Sequence, residues 1–140
     1  MNLKRKIAEY PNFPKKGILF RDFSPILNDP AAMSFVVEEF SKKFHPKDVD
    51  TFVGIESRGF ITASLLAQKY NKGMVMLRKV GKLPGKTVKI SYTIEYGKAV
   101  LEIQKDVLKK NERVVICDDL LATGGTAKAG AKLVEKIGAK

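Results

Sequence analysis

The stretch VVICDDLLATGGT, Val114–Thr126, decides the fold: an apolar run leads into two acids and then into a turn of small residues. The continuous apolar run predicts a strand covered on both faces. The turn precedes a helix start, where backbone N–H groups lack partners and the helix dipole is positive. Such a turn suits a tetrahedral anion, so we expect it to bind a phosphate group. The predicted phosphate ligands are Ala122, Thr123, Gly124, Gly125 and Thr126.

Asp118 and Asp119 stand immediately before this turn. Adjacent carboxylates repel each other unless a partner satisfies them. As hydrogen-bond acceptors they suit two neighbouring hydroxyls, such as the 2′ and 3′ hydroxyls of ribose. The structural alternative is a glycine turn that only caps a helix, with surface acids beside it. The turn lacks the GxxxxGK[ST] spacing of the Walker A loop, which binds nucleoside triphosphates.

Length and composition indicate one domain over residues 1–140, with 44% hydrophobic and 29% charged residues. The net charge of +11 favours a polyanionic partner, either nucleic acid or a phosphorylated small molecule, or else a lysine-rich solvated surface. Cys117 is the single cysteine, which fits a reducing compartment. The basic N-terminus has no apolar signal segment, and no apolar run could span a bilayer. We therefore expect a cytoplasmic protein without membrane contact.

The chain alternates between strand and helix patterns, which predicts an α/β fold with a mostly parallel central sheet flanked by helices. Asp29-Pro30 predicts the start of an N-terminal helix. The predicted strands are Thr51–Ile55, Met74–Leu77, Val88–Glu95, Ala99–Gln104 and Arg113–Asp118, with the third and fourth forming a hairpin, and the predicted later helices are Phe60–Tyr70 and Thr126–Ile137. In such sheets, ligands bind at the carboxyl ends of the strands. The segment Glu56–Gly59, the pair Arg78-Lys79 and the acids with their turn are all expected there.

The opening stretch resembles the phosphoribosyl diphosphate (PRPP) signature of the type I phosphoribosyltransferases. More narrowly, GILFRDFSPIL, GIESRGF, RKVGKLPG and SYTIEYGKAVLEIQKD, in this order, resemble the adenine phosphoribosyltransferases. The resemblance covers the chain from about Pro11 to its end. It implies the type I phosphoribosyltransferase fold and an enzyme of purine salvage. That enzyme would transfer the 5-phosphoribosyl group from PRPP to adenine, giving AMP and pyrophosphate.

The resemblance also implies roles for residues that bind the two phosphate-bearing parts of PRPP. The turn would hold the 5′-phosphate, and Asp118 and Asp119 the ribose hydroxyls. A flexible flap, about residues 79–98, would close over the substrate, and Val80 departs from a basic residue that relatives can carry there. The pyrophosphate ligands would be Glu56, Ser57, Arg58, Arg78, Lys79 and Lys82, and the Glu56–Ser57 peptide can be cis in relatives.

For the base, the resemblance implies an N-terminal recognition segment. It comprises Leu19, Phe20 and Arg21, with an aromatic ring stacked on adenine and backbone groups reading its edge. Glu95, beside Tyr96, would lie near the purine imidazole as a proton-transfer group. Phe20 as a core residue and Glu95 as a solvated turn residue are the structural alternatives.

The resemblance implies Mg²⁺ bound with PRPP rather than in a protein cage, and a homodimer. The family continues past the last helix with another strand, whereas this chain ends at Lys140, so we expect a sheet without that strand. Two alternatives stay open. One is a PRPP-binding regulator that binds nucleic acid, which the lack of an aromatic-basic motif disfavours. The other is a phosphoribosyltransferase for another base.

Overall fold

The computed structural model describes residues 1–94 and 97–140, in two compact units, Met1–Lys43 and Phe44–Lys140. A single domain over the whole chain stays a prediction. None of the helices within the described ranges has the length and apolar character needed to cross a bilayer.

The N-terminal unit contains a two-stranded antiparallel sheet and helices. Its elements are a 3-10 helix Leu3–Lys6, strands β1 Ala8–Pro11 and β2 Leu19–Asp22, and helices α1 Ser24–Leu27 and α2 Pro30–Ser41. Helix α2 begins as predicted, because the Asp29 carboxylate accepts hydrogen bonds from the N–H groups of Ala31 and Ala32. Pro30 occupies the first helical position, where its missing N–H costs no hydrogen bond.

The second unit is built on a five-stranded sheet with the order β5-β6-β4-β3-β7. Strand β3 pairs in parallel with β4 and β7, whereas β6 pairs antiparallel with both β4 and β5. The predicted parallel strands therefore form one part of the sheet, and the predicted hairpin extends it. The elements are a 3-10 helix Pro46–Asp48, strands β3 Thr51–Ile55, β4 Gly73–Lys79, β5 Thr87–Ile94, β6 Gly97–Gln104 and β7 Val114–Cys117, and helices α3 Gly59–Tyr70 and α4 Gly125–Lys136.

Strand β3 is buried along its whole length because helices cover both faces of the sheet. Phe52 packs against Tyr70 of α3, with ring centroids 5.6 Å apart. Val53 and Ile55 point to the other face, into the core cluster that contains Leu133 of α4. Each such buried side chain contributes about 1.5–3 kcal/mol to folding. The two-sided cover explains why the strand is an apolar run without alternation.

Helix α4 ends at Lys136, one residue before the predicted end at Ile137, and Gly138 stands in the turn that closes it. This residue has φ 95°, and its N–H donates to Glu135 while the N–H of Ala139 donates to Val134. The pattern is a Schellman motif, which satisfies carbonyls at the helix end. Lys140 then exchanges hydrogen bonds with Glu112 and Val114, beside β7, the outer strand of the described sheet.

Candidate functional site

A cavity of about 810 Å³ lies at the carboxyl ends of β3 and β7. Segments far apart in the chain meet there because parallel strands end at the same edge of a sheet. Most of the predicted site residues of this unit line it. They are Glu56, Ser57, Arg58, Lys79, Asp118, Asp119, Ala122, Thr123, Gly124, Gly125 and Thr126.

The turn before α4 has the geometry expected of an anion-binding loop. Gly124 is the N-cap and has φ 82°, a left-handed conformation that favours glycine. Glycine has no side chain with which to cap the helix, and the nearest hydroxyl, that of Thr123, accepts the Gly125 N–H at 3.4 Å. The Thr126 hydroxyl donates to the Tyr92 hydroxyl at 3.4 Å, which ties the first helical turn to β5.

The two acids differ in environment. Asp119 Oδ2 lies 3.0 Å from Arg58 Nε, and the N–H of Asp119 donates to Asp118 Oδ1 at 2.9 Å. Burial raises the pKa of Asp118 to about 6, and the neighbouring Asp119 carboxylate adds to the rise. Arg58, expected to face diphosphate, is therefore also the cation that compensates the acidic pair.

Gly59 brings the segment after β3 against the end of β7. A Cβ at this position would lie 2.5 Å from the carbonyl oxygen of Cys117 and 3.2 Å from the Cα of Asp118. Only glycine allows that approach without a backbone shift. The Glu56–Ser57 peptide in this segment is cis, the isomer that the resemblance allowed.

Arg78 and Lys79 were expected after a strand ending at Leu77, but they are the last two residues of β4. They pair antiparallel with Glu102 and Leu101 of β6, and this pairing extends the strand. The loop that follows covers Val80 to Lys86, inside the predicted flap. Whether that flap moves stays a prediction.

The Glu56 carboxylate contacts three basic residues near the cavity. It accepts from the Lys79 N–H at 2.9 Å and from Lys82 Nζ at 2.5 Å, and Arg78 lies 3.4 Å away. Burial alone would raise its pKa, but the hydrogen bonds from these three residues outweigh burial and lower it to about 2. Arg78 and Lys82 thus reach the site through Glu56.

The predicted base-recognition residues lie on β2 in the N-terminal unit. The ring of Phe20 packs edge-on against Phe13, with centroids 5.2 Å apart, and Arg21 Nε lies 3.1 Å from Glu9 Oε1. Leu19 is exposed. Their role toward adenine stays a prediction. Glu95 and Tyr96 lie outside the described residues, so their roles also stay predictions.

The cavity includes residues that the sequence did not single out. Tyr92 reaches it from β5, and Leu120 and Leu121 lie between the acids and the turn. Leu121 is 76% exposed, unusual for a leucine. Both leucines stand inside the motif and could have been predicted, whereas Tyr92 is one of several aromatic strand residues and carries no distinguishing signal.

Residues 26–140 match the phosphoribosyl transferase domain family. An adenine phosphoribosyltransferase from Nitrosopumilus maritimus is 74% identical over 140 residues, which is 100% of this chain and 82% of that protein. A crystal structure of adenine phosphoribosyltransferase from Saccharomyces cerevisiae, complexed with an iminoaltritol bisphosphate and adenine, superposes with a TM-score of 0.89 at 41% identity. The match covers 99% of this chain and 81% of that one.

The enzyme from Trypanosoma brucei, in complex with AMP, pyrophosphate and ribose-5-phosphate, superposes with a TM-score of 0.86 at 30% identity. That match covers 99% of this chain and 62% of the Trypanosoma chain. The cavity, with its acidic pair and glycine turn, therefore lies in a fold shared with adenine phosphoribosyltransferases of known structure. The chain belongs to the phosphoribosyltransferase family and, within it, to the adenine phosphoribosyltransferases.

Proposed function

We propose that this chain transfers the 5-phosphoribosyl group of PRPP to adenine, giving AMP and pyrophosphate, as an enzyme of purine salvage. The observation that carries the proposal is one cavity lined by the acids Asp118 and Asp119, the glycine turn and the Glu56–Arg58 segment. The relatives compared above are adenine phosphoribosyltransferases, and the Saccharomyces structure contains adenine.

In the proposed reaction, N9 of adenine forms a bond to C1′ of the ribose as the bond from C1′ to the pyrophosphate oxygen breaks. The backbone N–H groups of the turn hold the 5′-phosphate, and the acids accept hydrogen bonds from the ribose hydroxyls. These contacts hold C1′ in line with its partners. The positive charge that develops on the sugar lies near two carboxylates, which stabilise it.

The leaving group gathers negative charge as the bond breaks, so cations must face it. Arg58 and Lys79 supply them at the cavity, and Lys82 and Arg78 supply them through their contacts with Glu56. When bound, Mg²⁺ would neutralise diphosphate charge. The carboxylates of Asp118 and Asp119 line the same cavity and offer the oxygen ligands that Mg²⁺ prefers, so the site fits a cation that arrives with PRPP.

The remaining roles complete the proposal. Leu19, Phe20 and Arg21 bind adenine, and Glu95 transfers a proton at the purine imidazole, beside Tyr96. The protein acts as a homodimer, as the resemblance implies, in the cytoplasm.

The proposal is tested by incubating the purified protein with Mg²⁺, PRPP and radiolabelled adenine and measuring AMP. Hypoxanthine, guanine and orotate serve as competitors. We expect AMP formation that a large excess of the other bases leaves unchanged. Strong inhibition by one of them, with formation of its own nucleotide, would assign a different base. Tight, salt-sensitive nucleic-acid binding without any AMP would support the regulatory alternative.

A further inference from the structure

Glu102 is a charged residue in the middle of an apolar strand. It is 2% exposed and stands in β6 between Leu101 and Ile103, which are both buried in the core. A buried carboxylate is costly unless hydrogen bonds or cations compensate its charge. Its compensation comes from the loop that follows β4 and from the start of β5.

Three successive backbone N–H groups of this loop converge on one carboxylate oxygen. Gly81, Lys82 and Leu83 donate to Glu102 Oε1 at 3.0, 3.1 and 3.0 Å. The Thr87 hydroxyl donates to Oε2 at 3.1 Å, and Lys89 Nζ lies 4.0 Å from the same oxygen. Consecutive N–H groups around an anion form a nest, and here the anion is part of the protein.

The charged form of Glu102 is the one that this nest holds. Burial works to raise its pKa, but the hydrogen bonds from Leu83, Thr87, Lys82 and Gly81 prevail and the pKa lies below its ordinary value. The loop is therefore shaped around a permanent negative charge. A neutral side chain of the same size would keep the volume and lose most of the attraction.

The nest holds the backbone of Lys82 in place. Its backbone N–H is held by Glu102, and its ammonium group lies 2.5 Å from Glu56 Oε1 at the cavity. Lys82 is thus fixed at both ends, by one buried carboxylate on β6 and by another in the segment after β3. With both ends fixed, its ammonium has little rotamer freedom left to lose when a ligand arrives.

We propose that Glu102 is a positioning residue, which places Lys82 for the diphosphate of PRPP. The inference rests on the proposed function, because it assumes that Lys82 meets diphosphate. Glu102 itself is buried and is not among the residues that line the cavity. A purely structural role would instead stabilise the hairpin and affect all ligands equally.

Two ligands separate these roles. Pyrophosphate with Mg²⁺ probes the part of the cavity near Lys82, and ribose 5-phosphate probes the glycine turn. For Glu102→Gln we expect the Kd of pyrophosphate to rise about tenfold, the size of a lost charged hydrogen bond. The Kd of ribose 5-phosphate should stay within about twofold, since the turn leads into α4 and is not part of the loop that Glu102 holds.

Glu112→Gln is the matched control. Glu112 also accepts a loop N–H, from Lys109, and a threonine hydroxyl, from Thr51, but it stands at the opposite end of β3. We expect both ligands to bind this control as they bind the wild type. If Glu112→Gln weakened pyrophosphate as much as Glu102→Gln does, the effect would be general and the positioning role would be refuted.

A double-mutant cycle tests whether the effect passes through Lys82. In a Lys82→Ala background, Glu102→Gln should change the pyrophosphate Kd by less than about twofold. A full tenfold effect in that background would overturn the inference, as would unchanged pyrophosphate binding by folded Glu102→Gln. Should Glu102→Gln fail to fold, Thr87→Val, which removes one donor to Oε2, should weaken pyrophosphate alone to a smaller degree, and no change there would refute the role.

The same titrations distinguish the two proposals. A wild-type protein that binds neither ligand would contradict the proposed function, and this inference with it. A wild type that binds both, with Glu102→Gln binding both equally well, would contradict only the role of Glu102.

Discussion

Asp118 combines a functional position with a cost to stability. Its carboxyl group has a pKa of about 6 in the folded protein, above the ordinary 3.8, chiefly because it is partly buried. A raised folded-state pKa means that the stability from this group is present below about pH 4 and is lost as the pH rises through 6. The folded protein at neutral pH therefore holds a charge that the unfolded chain would carry more easily.

Asp118→Asn should accordingly stabilise the protein at alkaline pH, because the amide has no charge to bury. Thermal unfolding at pH 5 and pH 8 tests this. We expect the Tm of the variant to exceed that of the wild type, with the larger difference at pH 8. Equal differences at both pH values, or a less stable variant at pH 8, would show that Asp118 carries no buried-charge penalty.

Asp118 and its neighbour Asp119 are also expected to determine activity. Replacing Asp118 and Asp119 together by Asn removes two charged acceptors for the ribose hydroxyls, worth about 3–6 kcal/mol in total. The kcat/KM for AMP synthesis should fall by roughly 10²–10⁴ while the circular dichroism spectrum is retained. Asp106→Asn, a change at an exposed acid outside the cavity, is the control. An unaltered kcat/KM in the folded double variant would refute the role of the acids.

At the scale of elements, the approach of α3 to the end of β7 depends on Gly59. Gly59→Ala would place a methyl group 2.5 Å from the Cys117 carbonyl oxygen, so the backbone must move. We expect a loss of about 1–3 kcal/mol in the free energy of unfolding and a marked loss of PRPP binding. Denaturant unfolding and calorimetry measure the two effects.

Gly73→Ala is the matched control, because a Cβ there meets no atom within 4 Å. Stability and PRPP binding should stay near the wild type. A Gly59→Ala protein that behaves like this control would mean that the close approach is unimportant for the site.

The elements also show what sequence patterns can and cannot predict. Strand β3 and helix α3 follow from local apolar patterns. The inclusion of Arg78 and Lys79 in β4 does not, because it depends on pairing with β6. The Arg58–Asp119 ion pair and the nest around Glu102 likewise require contacts between distant parts of the chain. Glu102 did carry a signal, since it is the one acid in the apolar run AVLEI.

At the scale of the whole molecule, the net charge of +11 raises affinity for any polyanion, so specific and nonspecific binding must be separated. With Mg²⁺, PRPP at a hundredfold excess over its Kd should stabilise the protein by about 2.7 kcal/mol. For a chain of this size, that corresponds to a Tm rise of about 5–10 °C.

Salt distinguishes the two kinds of binding. The stabilisation by PRPP should largely persist in 0.3 M salt, where the Debye length is roughly 6 Å, because the contacts with PRPP are short and partly buried. Any stabilisation by single-stranded DNA should fade under the same conditions. A PRPP effect that fades in 0.3 M salt as strongly as the DNA effect would instead indicate nonspecific charge attraction and contradict specific binding at the cavity.

A crystal structure with ribose 5-phosphate shows whether the turn and the two acids bind the sugar phosphate. We predict that the phosphate lies against the backbone N–H groups of Gly124, Gly125 and Thr126, with the ribose hydroxyls on Asp118 and Asp119. A ligand bound elsewhere, with the acids and the turn facing solvent, would contradict it.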